Sequence, residues 1–304
     1  AWHYKSNLVD AMQKDRHHAK LKNLVFNDNI SFDSNIESCL LNPKLVVIAV
    51  PSHAIRELMN ISSKYFTSET IIINLSKGLE NNTLKRMSEV ILETTDVDDD
   101  RIVSLYGPSH AEEVILGYPT TLVAASSNER SSKMIQDIFS SNILRVYSNK
   151  DIKGVELGGS LKNVIAIAAG ICDGIGFGDN TKAALLTRGM AEITRLGVEM
   201  GAKESTFSGL SGIGDLIATC LSKHSRNRYV GEEIGKGKRL SSILDNMDMV
   251  AEGVKTTRSV YDLSKKYNLD MPISEGVNNI LFNDKNPKSI VSELMNRDLV
   301  NENI

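Results

Sequence analysis

Cysteine is scarce in this 304-residue chain: Cys39, Cys172 and Cys220, with no CxxC spacing. An odd, sparse set excludes a disulfide framework or a zinc ribbon and fits a reducing cytosol. Basic excess is absent, because 35 Lys and Arg stand against 38 Asp and Glu, for a formal net charge of −3. Nucleic-acid and polyanion binders usually carry a basic surplus, so that class of partner is not indicated. No uninterrupted apolar run reaches the ~18–20 residues of a membrane span, and no signal-peptide pattern opens the chain. The six histidines offer no HxxxH spacing and no metal cluster, and there is no GxSxG elbow for a serine nucleophile. What is there is ordinary: 41% apolar and 24% charged residues, in a chain long enough to bury a sizeable core. The expectation is a cytoplasmic enzyme of two domains.

The first half alternates short apolar runs with helical stretches. Leu45 to Val50 is a continuous run stopped by Pro51, as expected of a strand buried on both faces of a parallel sheet. Further runs follow at Ile71 to Leu75, Ile102 to Tyr106, Thr120 to Ala125 and Leu144 to Tyr147. Strands alternating with helices predict an α/β domain of Rossmann type with a largely parallel sheet, over residues 1–150. Beyond Asn149-Lys150-Asp151 the pattern becomes helical. Ser160 to Gly170 is apolar and alanine-rich, Leu186, Met190, Ile193 and Gly197 recur at helical spacing, and Leu240 to Met249 and Thr257 to Tyr267 read as helices. Residues 151–304 are therefore expected to form an all-helical domain.

Ligands of doubly wound sheets bind beyond the carboxyl ends of the strands. Those ends carry Pro51-Ser52, Ser76-Lys77-Gly78 and Gly107-Pro108-Ser109. Each alone is compatible with an ordinary turn; three in succession, one with a lysine, point to a site. In the second half, Gly158-Gly159-Ser160-Leu161-Lys162-Asn163 leads into an apolar helix. A lysine desolvated there acquires a lowered pKa suited to proton transfer, the other reading being a snorkelling lysine at a helix start. Three glycines between Asp173 and Asn180 predict a tight loop. Gly209-Leu210-Ser211-Gly212-Ile213-Gly214-Asp215 contains a GxG, but no strand precedes it, so it is no dinucleotide loop, and Asp215 could serve as a helix N-cap. Ser225-Arg226-Asn227-Arg228 is either an arginine fork for one small phosphate or a solvated basic turn.

Together these segments resemble the bacterial-type NAD(P)-dependent glycerol-3-phosphate dehydrogenases, from about residue 2 to about residue 298. The resemblance rests on Val46–Glu57, Leu75–Glu80, Gly107–Val114, the long segment Gly154–Gly189, Gly209–Leu216, Ser225–Arg228 and Ala251–Gly253. It implies hydride exchange at C2 of a three-carbon phosphate, interconverting sn-glycerol 3-phosphate and dihydroxyacetone phosphate for glycerophospholipid synthesis. It implies that Lys162 exchanges the proton, with Lys77 near the reacting oxygens and the cofactor, and Asp215 orienting lysine and substrate. Gly107, Ser109, Ser225, Arg226 and Asn227 would line the substrate site, together with Lys77, Lys162 and Asp215. Arg226 would also reach the cofactor, as would Ala111, Val250 and Glu252. No metal is implied, and a homodimer is compatible with the resemblance.

The family opens with a strand, a GxGxxG-type loop and a helix. These have no counterpart in the 304 residues, whose Ala1-Trp2-His3 aligns with the end of the second strand. That places the start roughly 30–35 residues into the first βαβ unit, and a sheet without that unit is expected to present a long apolar edge. His3 lies where a basic residue would meet the adenosine ribose, and NAD and NADP remain equally open. Two other readings are a 3-hydroxy-acid dehydrogenase of similar architecture, against which Ser225-Arg226-Asn227 argues, and a non-catalytic phosphometabolite-binding relative.

Overall fold

The computed structural model describes residues 1–18, 21, 24–247, 250–299 and 301–302. The chain divides into two compact units, Ala1–Ser76 with Met87–Ile152, and Lys77–Arg86 with Lys153–Ile304.

The first unit is built on a five-stranded sheet in the order β1 (Leu45–Ile48), β2 (Ile71–Asn74), β3 (Ile102–Tyr106), β4 (Thr120–Ala125) and β5 (Leu144–Asn149). β1, β2 and β3 run parallel, β4 is antiparallel to β3, and β5 is parallel to β4. All residues of β2 and β3 are buried, the environment that their unbroken apolar runs require. Among the described residues, the helices of eight or more residues that accompany the sheet are α1 (Ser6–Asp15), α2 (Ile55–Ser62), α3 (Met87–Thr94) and α4 (Glu129–Phe139). α4 packs on β3, β4 and β5, with Ile135 in the core, while α3 packs on β3 and on α2.

β1 departs from the expectation of burial on both faces. It stands at the edge of the sheet, paired with β2 alone among the described residues, and Leu45 and Val47 are 37% and 47% exposed. An apolar run reports what a strand can bury, whereas the number of its neighbours decides what it does bury. β1 also stops two residues before its expected end, and β5 runs two residues further, because Ser148 and Asn149 keep their pairing with Ala124 and Ala125.

The second unit is helical: α5 (Ile152–Ile175), α6 (Asp179–Glu199), α7 (Asp215–Leu221), α8 (Arg226–Gly235), α9 (Glu252–Lys266), α10 (Pro272–Phe282) and α11 (Pro287–Met295), with shorter turns between them. The helix expected over Leu240 to Met249 is seen as Leu240–Asp245, and residues 248 and 249 lie outside the described residues. α5 is apolar all round, which marks a core helix. By length and composition it could cross a membrane, and its apolar window is wholly buried among its neighbours.

Glycines let a second helix approach α5. A methyl group on Gly170 would lie 1.9 Å from the Arg228 carbonyl oxygen, and one on Gly231 would lie 2.0 Å from that of Ile167. α8 therefore crosses α5 at backbone contact. Gly158-Gly159 corrects the sequence reading: the pair is neither flexible nor at a helix start but lies within α5. Gly158 is there because a methyl group would come 2.8 Å from the Ser211 carbonyl oxygen. Lys162 consequently sits in the middle of the helix and not at its start.

Candidate functional site

Lys162 projects from the apolar helix α5 and is 4% exposed. Its Nζ donates to Thr219 Oγ1 at 2.5 Å and lies 3.0 Å from Asp215 Oδ1. Asp215 begins α7, just after the Gly209–Gly214 loop, whose Gly212 leaves helical geometry at φ −97° and ψ −105°. The N-cap position belongs to Gly214, so the Asp215 carboxylate does not serve as the cap and is available to the lysines. Thr219 follows Asp215 by four residues, on the same face of α7. Its hydroxyl accepts from Lys162 and donates to the Asp215 carbonyl at 2.6 Å.

Lys77 reaches the same carboxylate. Its Nζ is 2.6 Å from Asp215 Oδ2, so one buried carboxylate bridges two ammonium groups. Burial pushes Lys162 down to about 8, and the nearby Lys77 charge adds to this, while Asp215 opposes it. Burial acts to raise Asp215, but the Lys162 and Lys77 charges outweigh it and hold its carboxyl below the usual range. Cys220, beside Lys162, is pushed up to about 12 by burial and stays a neutral thiol.

The Ser225–Arg228 turn does not form the fork expected of it. Arg228 turns away, to Asp173 Oδ2 at 2.7 Å and Glu232 Oε2 at 3.4 Å, and Lys182 pairs with the other oxygen of Asp173. Helical phase explains this, since residues 226 and 228 lie on different faces of α8. Ser225 is the N-cap of α8, its Oγ accepting from the Arg228 N–H. Arg226 donates to the Val250 carbonyl at 2.8 Å, and Asn227 Oδ1 accepts from the Gly253 N–H at 2.9 Å. These bonds join Arg226 and Asn227 to the segment that carries Val250 and Glu252. A methyl group on Gly253 would lie 2.7 Å from the Asn163 carbonyl oxygen, so this segment packs against the backbone of α5 one residue beyond Lys162.

Gly107, Ser109 and Ala111 belong to the first unit, in the loop beyond β3. Gly107 takes φ +147°, and a methyl group there would sit 2.9 Å from the Thr121 carbonyl oxygen, so glycine is required. Ser109 Oγ donates to the Gly107 carbonyl, and Ala111 opens a short helix, Ala111–Val114. Buried Asn74 cross-links the strand ends through Ser76 and the Tyr106 hydroxyl. His3 accepts from the Lys5 N–H, stacks on Tyr4 at 4.8 Å, and bonds through its own N–H to the Asp33 carbonyl. Thr219 was missing from the sequence reading, although its spacing from Asp215 was a visible signal.

A parallel-dominant sheet unit followed by an all-helical unit, the latter with a buried lysine–aspartate–lysine cluster, is the build of a two-domain dehydrogenase. Family models for the N-terminus and the C-terminus of NAD-dependent glycerol-3-phosphate dehydrogenase match residues 1–132 and 151–292. Among curated relatives, the chain is 50% identical over 299 residues to the glycerol-3-phosphate dehydrogenase [NAD(P)+] of Prosthecochloris aestuarii, covering 98% of this chain and 90% of that one. It is also 50% identical over 301 residues to the enzyme of the same name from a Thermoanaerobacter species, covering 99% and 90%. The crystal structure of glycerol-3-phosphate dehydrogenase from Coxiella burnetii superposes with a TM-score of 0.92 at 35% identity, covering 97% of this chain and 90% of that one. The chain belongs to the NAD-dependent glycerol-3-phosphate dehydrogenase family.

Proposed function

We propose that the chain interconverts sn-glycerol 3-phosphate and dihydroxyacetone phosphate with NAD or NADP, in the cytoplasm and as a homodimer, feeding glycerophospholipid synthesis. Residues 1–150 would bind the dinucleotide and residues 151–304 the substrate and its reacting atoms. The observation that carries this reading is the buried Lys162–Asp215–Lys77 cluster, in a chain whose relatives bear that enzyme name.

Residues beyond the carboxyl ends of β1 and β3, Pro51-Ser52 and Gly107–Ser109, have the small side chains that a nicotinamide nucleotide needs for close approach. When bound, that cofactor takes or gives the hydride at C2. Lys162 handles the proton. In alcohol oxidation its neutral amine takes the proton of the C2 hydroxyl as the C2–H bond gives up its electron pair, leaving a carbonyl. In reduction its ammonium returns that proton to the developing alkoxide. Thr219 and Asp215 occupy two positions on Nζ and leave the third for the substrate oxygen. Lys77 adds positive charge where the oxygen becomes anionic, and Asp215 keeps both lysines aimed. Ser225, Arg226 and Asn227 of the helical unit are assigned to the phosphate end of the substrate, where the guanidinium would supply charge-assisted hydrogen bonds, and Gly107 and Ser109 of the sheet unit are assigned to the substrate as well. Ala111, Val250, Glu252 and His3 are assigned to the cofactor.

The test is absorbance at 340 nm with dihydroxyacetone phosphate and NADH or NADPH. Loss of absorbance that depends on substrate supports the reading. No loss with either cofactor, or turnover of a non-phosphorylated 3-hydroxy acid instead, contradicts it.

A further inference from the structure

Lys77 does not come from the helix that carries Lys162 or from the one that carries Asp215. It comes from a ten-residue excursion, Lys77–Arg86, which folds back on itself through the Glu80 N–H to Lys85 carbonyl bond at 2.8 Å and the Leu79–Arg86 bridge. A lysine side chain loses much rotamer freedom when held in one place, so the backbone beneath it must itself be fixed.

Two anchors fix it. The Ser160 hydroxyl, fully buried in α5, accepts from the Gly78 N–H at 2.9 Å and faces the Gly78 carbonyl at 3.2 Å. One serine thus clasps both polar groups of the residue that follows Lys77. At the other end of the excursion, Arg86 Nη1 donates to Glu156 Oε2 at 2.7 Å, and both side chains are buried. Glu156 and Ser160 are four residues apart and share one face of α5. Leu79 lies between the anchors in the core formed by Leu157 and Leu161. Ser160 in turn precedes Lys162 by two residues, so the helix that aims the proton-exchanging lysine also holds the excursion that delivers the second lysine.

We propose that Ser160 and the Arg86–Glu156 pair are positioning residues, which act through Lys77 by fixing its distance to Asp215. This rests on the function proposed above. A purely structural role would lower stability without changing how Lys162 titrates. A positioning role changes the titration, with a definite sign. Lys162 faces the Asp215 carboxylate, the Lys77 ammonium, the Thr219 hydroxyl and the Cys220 thiol. Retreat of Lys77 removes a like charge and leaves Asp215 to Lys162 alone, and each change favours the protonated lysine.

The experiment compares wild type, S160A, R86K, K77M and S160A/K77M by the pH dependence of kcat/KM for glycerol 3-phosphate oxidation. A ¹⁵N NMR titration of Lys162 Nζ follows the same event without turnover. S160A and R86K are expected to lower kcat/KM by ~10-fold, the scale of a sub-ångström misplacement, and to move the Lys162 inflection to higher pH. In the K77M background, S160A is expected to add nothing further. The proposal is overturned if S160A and R86K keep the wild-type inflection, or if S160A costs as much activity without Lys77 as with it. An inactive wild type would instead count against the function proposed above, while the NMR titration still decides the positioning.

Discussion

Asp215 and Asp173, both in the helical unit, each hold two cations. Asp215 pairs with Lys77 and Lys162, and Asp173 pairs with Lys182 and Arg228. What separates them is the burial of one cation together with its carboxylate. The Asp215 and Lys162 side chains are 4–5% exposed, with Lys77 at 23%, while those of Asp173, Lys182 and Arg228 are all 14–18% exposed. In the buried cluster desolvation brings Lys162 to about 8, which costs its ammonium form ~3 kcal/mol relative to water. In the mechanism proposed above, what prepares Lys162 for proton exchange is therefore pairing in a place shielded from water, rather than pairing of charges alone. The Asp173 cluster instead ties the end of α5 and the start of α6 to α8.

The largest effect expected from this contrast is at Lys162. K162M is predicted to lower kcat by ~10²–10⁴-fold, the usual contribution of a positioned acid–base group, measured by initial rates at 340 nm. D215N comes next, with a loss of ~10²-fold from misaimed lysines. It also has a directional signature: removing the carboxylate removes what holds Lys162 up, so the inflection in the pH profile moves below about 8. D173N is the counterpart that would break the comparison. Activity is predicted to stay within about twofold of wild type and stability to fall by ~1 kcal/mol in urea melts, the scale of accessible ion pairs. A D173N variant as slow as D215N would show that burial is not what separates the clusters.

A third carboxylate sharpens the point. Glu192 on α6 is 3% exposed and accepts from the Ile273 and Ser274 N–H groups at 2.6 and 3.0 Å and from the Ser274 hydroxyl at 2.8 Å. It caps the start of α10 from a neighbouring helix, and no cation is among these bonds. E192A leaves those donors unsatisfied and is predicted to cost ~1–3 kcal/mol in a urea melt, with kcat little changed. Burial of a carboxylate, like pairing, is thus insufficient by itself.

Much of this was legible in the chain. The apolar runs at Ile71, Ile102 and Thr120 gave strands, because fully buried strands leave an unbroken signature. Lys162 and Asp215 stood out because a charge flanked by glycines and apolar helix is costly without a use, and Arg226 because an arginine beside Ser and Asn donors suits a phosphate. Other features depended on tertiary contacts. Gly158-Gly159 looked like a flexible helix entry, since a glycine needed for close packing is indistinguishable in sequence from one needed for bending. Arg228 looked like half of a phosphate fork until helical phase turned it to Asp173. The Gly78–Ser160 bond that anchors the Lys77 segment joins residues 82 positions apart and leaves no periodic trace. The exposure of β1 depends on what pairs with it, which its own residues do not encode.

The most direct test of the central claim is the pH dependence of kcat/KM for glycerol 3-phosphate oxidation by the wild-type protein. In the proposed mechanism oxidation needs Lys162 as the neutral amine, and a folded-state pKa of about 8 means that the neutral fraction grows as pH rises through that value. The account predicts a rise of one log unit per pH unit below an inflection near 8 and a plateau above it, with dihydroxyacetone phosphate reduction falling over the same range. A profile that keeps climbing to pH 10 would mean that Lys162 titrates as an ordinary solvated lysine, and would contradict the claim that burial prepares it for proton exchange.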